Sequence, residues 1–297
     1  SILHMLDRHR RPSSAATVVL RLLVSPFLMS IPCQPLASTS PGRHLVLDFD
    51  GTCTIKDTTP LLPRIAAICA GDDAKARRTR LGSWQKLEEE YLRAYSEAKD
   101  ALFSSDYDGD LHSALDALDT VSTTVTEQVS ASGCLAGLPS LPEEMADLIA
   151  RHDELRDATR LRPGCAAAVA RAHAAGWEPA VVSINWCPPL IEAALAVPVR
   201  RHAQGEEEIL PMSRIWSNAV DERGVVRLSI PGASAKRSRI AQIVRESRAS
   251  AGGSSTVIYL GDSSTDLSAM LEADIGILIG RSGTVQSFSK RWGVRLA

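Results

Sequence analysis

The spacing of apolar residues changes period several times along the chain. Residues 44–50, His-Leu-Val-Leu-Asp-Phe-Asp, form a short apolar run that ends in acids. Such a run predicts a buried strand with Asp48 and Asp50 at its C-terminal tip. Helical spacing then takes over. Residues 60–70 are apolar at that spacing, and 73–103 carry Leu87, Tyr91, Leu92, Tyr95, Ala98 and Leu102 as an i, i+4 stripe on an otherwise charged helix. The same pattern runs through 111–130 and 142–158, with Gly133, Gly137, Pro139 and Pro142 punctuating the join.

After Leu161-Arg162-Pro163-Gly164 the pattern alternates. A helix over 165–175 stops at Gly176, where a glycine accepts the left-handed conformation that ends helices. A strand at 179–183 follows, then a helix at 188–196, a short strand near 197–201 and a polar, β-rich stretch over 209–230. A helix at 235–248, a flexible loop at 250–255, a strand at 257–260, a helix at 265–272 and an apolar strand at 275–279 close the pattern. Strands alternating with helices predict an α/β class, a Rossmann-like parallel sheet with helices on both faces. The core is then 44–57 with 161–297, and 58–160 is an inserted all-helical cap.

Composition adds exclusions. Apolar residues make up 44% and charged residues 23%, ordinary globular usage, so a wholly disordered chain, collagen and a disulfide miniprotein are ruled out. A net charge of -2 gives no electrostatic case for nucleic acid or a membrane surface, and 4% aromatics argue against base-stacking platforms. The cysteines, Cys33, Cys53, Cys69, Cys134, Cys165 and Cys187, form no C-x-x-C and no zinc spacing with histidine, and read as packed free thiols. Residues 1–43 differ from the rest: arginines 8, 10, 11, 21 and 43, a single acid (Asp7) and frequent serine and proline. That composition resembles an organellar transit peptide, with a disordered tail as the competing reading. The expected location is accordingly cytoplasmic or organellar, mitochondrion or plastid. Prolines 26, 32, 35 and 41 make the long uncharged stretch Leu22–Gly42 a poor membrane span.

In open parallel sheets the working groups sit beyond the carboxyl ends of the strands. Here Asp48 and Asp50, Ser183, and Asp262 occupy those ends. Clustered carboxylates repel one another and stay ionised when a hard cation such as Mg²⁺ sits among them. A carboxylate can also attack phosphorus. Lys236, at a helix start, is placed to neutralise a phosphate oxygen, although Arg237 and Arg239 lie close by. Two other motifs are decoys. Asp106-Tyr-Asp108-Gly-Asp110 lacks the glycine and glutamate of a calcium loop, and Gly133-Cys-Leu-Ala-Gly137 has no preceding strand.

Asp48-Phe49-Asp50-Gly51-Thr52, Ser183, Lys236 and Gly261-Asp262-Ser263-Ser264-Thr265-Asp266 resemble, in order and spacing, the four motifs of the haloacid dehalogenase-like (HAD) phosphohydrolases. The insert and Leu-Arg-Pro-Gly resemble the helical-cap subgroup that includes phosphoserine phosphatase. A further likeness lies in Asp50-Gly-Thr-Cys-Thr-Ile-Lys-Asp57, Ser183-Ile-Asn-Trp-Cys187 and Leu271-Glu-Ala-Asp-Ile-Gly-Ile277. These are similar to the phosphatase domain of plant and fungal TenA-associated proteins of thiamin metabolism, which acts on thiamin monophosphate in plants; the sequence contains no TenA-like stretch.

The resemblance implies Asp48 as nucleophile and Mg²⁺ ligand, and Asp50 as general acid and then base, its backbone carbonyl toward the metal. It implies Asp262 as a further metal ligand and Asp266 behind a metal-bound water or orienting Lys236. Ser183 and the Gly51 backbone would hold phosphate oxygens. Asp57 would meet a cationic substrate, with capping of the first insert helix as the other reading. Asn185 and Trp186 would rim the pocket, with plain packing the alternative for Trp186.

The implied function is a Mg²⁺-dependent phosphomonoesterase of a small phosphorylated metabolite, through an aspartyl-phosphate. A phosphomutase shares all four motifs, and a non-catalytic binding module is the reading from another class. No nucleic-acid or membrane partner is expected, and the sequence leaves the oligomeric state unread.

Overall fold

A computed structural model describes residues 17–18, 42–196, 198–200, 207–251 and 255–296. The targeting reading of 1–43 therefore lies almost wholly outside the described residues. Five strands form one parallel sheet: β1 (Arg43–Leu47), β2 (Glu178–Val182), β3 (Arg214–Trp216), β4 (Thr256–Gly261) and β5 (Ile275–Leu278), in the order β5-β4-β1-β2-β3. The register sets Leu47 opposite both Val181 and Leu260. The chain therefore emerges from β1, at the middle of the sheet, level with the tips of both neighbouring strands.

The apolar alternation of the central strands explains the two helical layers. Val46, Val182, Val257 and Tyr259 share one buried cluster with helices α8 (Ala233–Ser250), α9 (Ser264–Glu272) and α10 (Gly283–Arg291). Leu47 and Val181, one residue out of phase, face α6 (Cys165–Ala174) and α7 (Pro188–Leu195) through Val169, Ile191 and Leu195. Period-two side chains buried on both faces are what a parallel sheet covered on both sides requires.

Between β1 and α6 the chain makes five helices: α1 (Leu62–Cys69), α2 (Ala74–Leu102), α3 (Leu111–Ser132), α4 (Pro142–Arg151) and α5 (Asp153–Ala158). Leu62, Ile65, Val129, Leu135, Met145 and Leu155 give this insert a core of its own, closed by Cys187 and Leu190 from the start of α7. The chain leaves and returns side by side. Thr54 pairs antiparallel with Leu161, Ile55 N–H donates to Arg160 O at 3.2 Å and Arg162 N–H to Cys53 O at 2.7 Å. At the far end, the α2–α3 turn docks on the core. Trp292 Nε1–H donates to Gly109 O at 3.0 Å, and Phe103 stacks edge-on against Phe288 and Trp292 at 5.1 and 5.7 Å.

Two details depart from the periodicity reading. The helix expected over 142–158 is two helices that break at His152, whose φ of -121° and ψ of 108° are extended. The helix α10 was not expected at all. It buries Val285 and Phe288 against the sheet and takes its cap from Ser282, whose hydroxyl accepts from Val285 N–H. Among the described residues Cys53, Cys69, Cys134, Cys165 and Cys187 are free thiols, and no helix is long and apolar enough to cross a membrane.

Candidate active site

The loop that follows β1 turns so tightly that Thr54 N–H reaches back to Phe49 O at 3.0 Å. Gly51 makes the turn with φ at +73°, a conformation that costs a side-chain-bearing residue energy, and a Cβ there would collide with the Asp262 carboxylate. The loop is tied to the segment that returns from the insert by Arg162, which donates to Gly51 O at 2.5 Å and Thr52 O at 3.4 Å. Asp48 thus starts a loop pinned from two sides, and its own N–H is held by Leu260 O at 2.8 Å.

Lys236, on the first turn of α8, is fully buried, and its Nζ lies 2.9 Å from Asp48 Oδ1 and 2.7 Å from Asp266 Oδ1. The neighbouring arginines point elsewhere: Arg237 pairs with Glu272 at 3.1 Å, and Arg239 lies over the Trp216 ring at 5.2 Å. The two acids beside Lys236 differ in their company. Asp266 accepts from Lys236 and Tyr259 on one oxygen, and from Asp262 N–H, Ser263 N–H and the Ser263 hydroxyl on the other. Burial works against its charge, but Lys236 and these donors outweigh it and hold its carboxyl below the ordinary range. Asp48 Oδ1 is buried and has the lysine near it but no hydrogen bond of proper geometry. Burial pushes the Asp48 carboxyl well up; Lys236 pulls against this, and Asp266 and Asp262 add to it. For Lys236, burial lowers the pKa, and the Asp266 and Asp48 charges more than offset it, so the ammonium is held above its ordinary value.

Asp262 follows β4 and accepts from the Thr52 hydroxyl at 3.2 Å. Burial and the nearby Asp266 push its carboxyl up to about 6. Oxygens of Asp48, Asp262 and Asp266 lie within 4.8 Å of one another. An all-oxygen set, with Asp48 and Asp262 both pushed toward protonation by burial and by the Asp266 charge, fits a hard divalent cation. Asp266 has both oxygens occupied by protein donors, so open lone pairs are on Asp48 and Asp262.

Asp50 points away from this cluster. Its Oδ1 accepts from Thr58 N–H at 2.8 Å and the Thr58 hydroxyl at 2.7 Å, and its Oδ2 from Asn185 Nδ2 at 2.7 Å. Burial and the Asp57 charge push it up to about 6 against the pull of Asn185 and Thr58. Asn185 is 1% exposed, so it faces Asp50 rather than forming a pocket rim. Ser183, directly after β2, is fully buried, and its hydroxyl oxygen accepts from Asn185 N–H at 3.2 Å.

No family model matches the chain. It is similar to the bifunctional TH2 protein, mitochondrial, of Arabidopsis thaliana, at 26% identity over 288 residues, which cover 88% of this chain and 43% of that protein. The chain thus spans less than half the length of that relative. Among solved structures it is similar to a protein of unknown function from Bordetella pertussis Tohama I, with a TM-score of 0.53 and 17% identity over 86% of this chain and 98% of the other. A substrate-bound phosphoserine phosphatase aligns with a TM-score of 0.47 and 16% identity, over 83% of this chain and 90% of that one. The sheet order, with Asp48, Ser183 and Asp262 following the tips of β1, β2 and β4, matches the arrangement that the sequence resemblance implies. The fold shared with the Bordetella pertussis protein is an α/β fold built on a parallel sheet.

A cavity of about 220 Å³ lies between the insert and the core. Trp84, Leu87, Glu88 and Tyr91 from α2 form one wall, Ser122, Val125 and Thr126 from α3 a second, and Asp57, Ile184, Trp186 and Pro231 the core side. Trp84 and Trp186 meet edge to face with centroids 6.2 Å apart, so Trp186 is both packed and cavity-lining. Asp57 also has two environments. Its Oδ1 accepts from Thr59 N–H at 2.8 Å, capping the turn that starts the insert, and the residue borders the cavity.

The sequence reading missed Thr58, Tyr259, Arg162, Asp119, Trp84 and Glu88. Arg162 stood in a stretch already singled out and its charge was a usable signal. Thr58 and Tyr259 bond acids only eight and seven residues away, whereas Asp119 on Ser234 and Trp84 on Trp186 join segments far apart in sequence.

Proposed function

We propose that the chain is a Mg²⁺-dependent phosphomonoesterase acting through an aspartyl-phosphate on Asp48. The observation that carries this reading is the buried Lys236 between Asp48 and Asp266, its ammonium 2.9 Å from Asp48 Oδ1 and 2.7 Å from Asp266 Oδ1. Asp48 and Asp262 would hold the metal, with the Asp50 carbonyl completing the protein's share, and Asp266 would fix Lys236 from behind. The metal, when bound, supplies charge neutralisation for the phosphoryl group. Asp48 attacks phosphorus while Lys236, Ser183 and the Gly51 N–H hold the equatorial oxygens. Asp50 passes a proton to the departing oxygen, and then takes one from the water that hydrolyses the aspartyl-phosphate. An acid at position 50 favours phosphoryl transfer over dehalogenation, because halide departs without a proton.

The cavity supports a substrate class. Two indoles and Tyr91 offer aromatic faces, and Asp57 and Glu88 put negative charge on the same walls. That combination suits the phosphate ester of an aromatic or cationic alcohol. Thiamin monophosphate has this chemistry, and the likeness of 50–57, 183–187 and 271–277 to thiamin-linked phosphatases points the same way. An organellar setting belongs with this reading, since the Arabidopsis relative is named mitochondrial and residues 1–43 have transit-like composition. The test is phosphate release from a panel of thiamin monophosphate, nucleotides, phosphocholine and phosphoserine, with Mg²⁺. Thiamin monophosphate is expected to give the highest kcat/KM. Release from another ester would move the substrate and keep the reaction, a transferred phosphate isomer in place of free phosphate would make the chain a mutase, and no turnover of any ester would leave a binding module.

A further inference from the structure

Helix α8 begins without a cap of its own. Gly232 precedes it and has no side chain to offer its first free N–H groups, four of which every helix leaves unsatisfied. The carboxylate that closes this turn comes from the insert. Asp119, on α3, accepts from Ser234 N–H at 3.2 Å across 115 residues of sequence. The approach depends on glycine: a Cβ at position 232 would overlap the Asp119 carboxylate.

The turn that Asp119 closes is the one that carries Lys236. Lys236 N–H donates to Gly232 O at 3.0 Å, and its Nζ reaches Asp48 and Asp266 from there. One turn further along α3, Ser122, Val125 and Thr126 face the cavity. A single helix of the insert therefore touches both the space where the organic part of a substrate fits and the start of the helix that presents the lysine.

We propose that Asp119 is a positioning residue that couples the seating of the insert to the placement of Lys236. The proposal rests on the phosphatase reading of the site. When α3 is seated, its carboxylate holds the first turn of α8 wound and Lys236 in place. When α3 lifts, that turn loses its cap and its N–H groups open to water. Binding contacts made far from phosphorus are in this way passed to the group that holds the phosphate.

The test uses the full chain with Mg²⁺ and three variants: Asp119→Ala, Asp119→Asn and Gly232→Ala. Two quantities are read: amide hydrogen exchange over residues 233–236, and the inhibition constant of inorganic phosphate against p-nitrophenyl phosphate hydrolysis. Asp119→Ala should speed exchange in that turn and weaken phosphate inhibition about tenfold, the scale of a lost helix cap. Asparagine caps about as well as aspartate, so Asp119→Asn should stay within about twofold of wild type on both readings. Gly232→Ala keeps the carboxylate but displaces it, and should reproduce the alanine variant. It also provides the decisive case if Asp119→Ala does not fold. Unchanged exchange in Asp119→Ala overturns the proposal, as does phosphate inhibition that stays at the wild-type value while exchange rises. Loss in Asp119→Asn equal to that in Asp119→Ala overturns it too, because the charge would then matter and not the cap. Failure of the underlying reading looks different: wild type would hydrolyse no phosphomonoester, while the exchange comparison would still decide whether Asp119 closes α8.

Discussion

Asp48 and Asp266 share one lysine and are driven in opposite directions. Asp266 is surrounded by donors on both oxygens, so its charge is stabilised in place. Asp48 is also buried, and its Oδ1 meets the Lys236 ammonium alone. A buried carboxylate with so few donors is costly unless something else meets it, which is what a nucleophile waiting for metal and phosphate would require. Asp48→Asn keeps the shape and removes the attacking charge. Phosphate release should fall at least about 10³-fold, on the order of 4 kcal/mol in barrier, with the circular dichroism melt still cooperative. Near-normal turnover in a folded variant would remove Asp48 from the chemistry. The four acids were legible because they cluster within a few residues of predicted strand tips, and Lys236 because it follows a turn at a helix start. Asn185 on Asp50 and Asp119 on Ser234 were not, since each pair joins segments more than a hundred residues apart without a local trace.

Elements with long, uninterrupted periodicity were read almost to their ends; α2 runs Ala74–Leu102 where 73–103 was expected. The break at His152 carries no glycine or proline, and arises where α4 and α5 each turn a separate buried face, Met145 and Leu155, into the insert's core. Helix α10 is short and mostly polar, and only Val285, Phe288 and Trp292 betray its inner face. The join of α1 and α2 is tied to the end of α3 through Arg80. Arg80 donates to Asp72 at 2.8 Å and to the carbonyls of Gly133, Cys134 and Ala136 at 3.2–3.3 Å. The Arg80 hydrogen bond holds the Asp72 carboxyl below its ordinary value of 3.8, with burial opposing. A depressed acid stabilises the fold above its unfolded pKa, and that contribution is lost as pH falls through the folded value. The insert should therefore loosen at this corner below about pH 4. Protection of the amides of residues 70–80, measured against the intrinsic exchange rate at each pH, should fall between pH 5 and pH 3 more in wild type than in Arg80→Met, which lacks the pair at both. Equal losses of protection would show that the anchor does not depend on the Asp72 charge.

At the scale of the whole molecule, chemistry and recognition have different sources. The strand tips of the core and the first turn of α8 hold the groups that would meet phosphate, and the insert holds most of the cavity wall. Chelation should stop phosphate release and Mg²⁺ should restore it. Ca²⁺ should inhibit, because its larger and looser coordination misplaces the attacking Asp48 oxygen. Full activity with Ca²⁺ would contradict an in-line attack from Asp48. The pairing of Thr54 with Leu161 has a consequence beyond this protein's own reaction. A chain that departs and comes home at one point encloses an excursion that the rest of the sheet never threads. Such a segment can be lengthened or rebuilt by evolution or by an engineer, and the reaction centre would keep its registry while the molecule it accepts is chosen anew, provided the rebuilt segment still brings an acceptor to Ser234 N–H as Asp119 does.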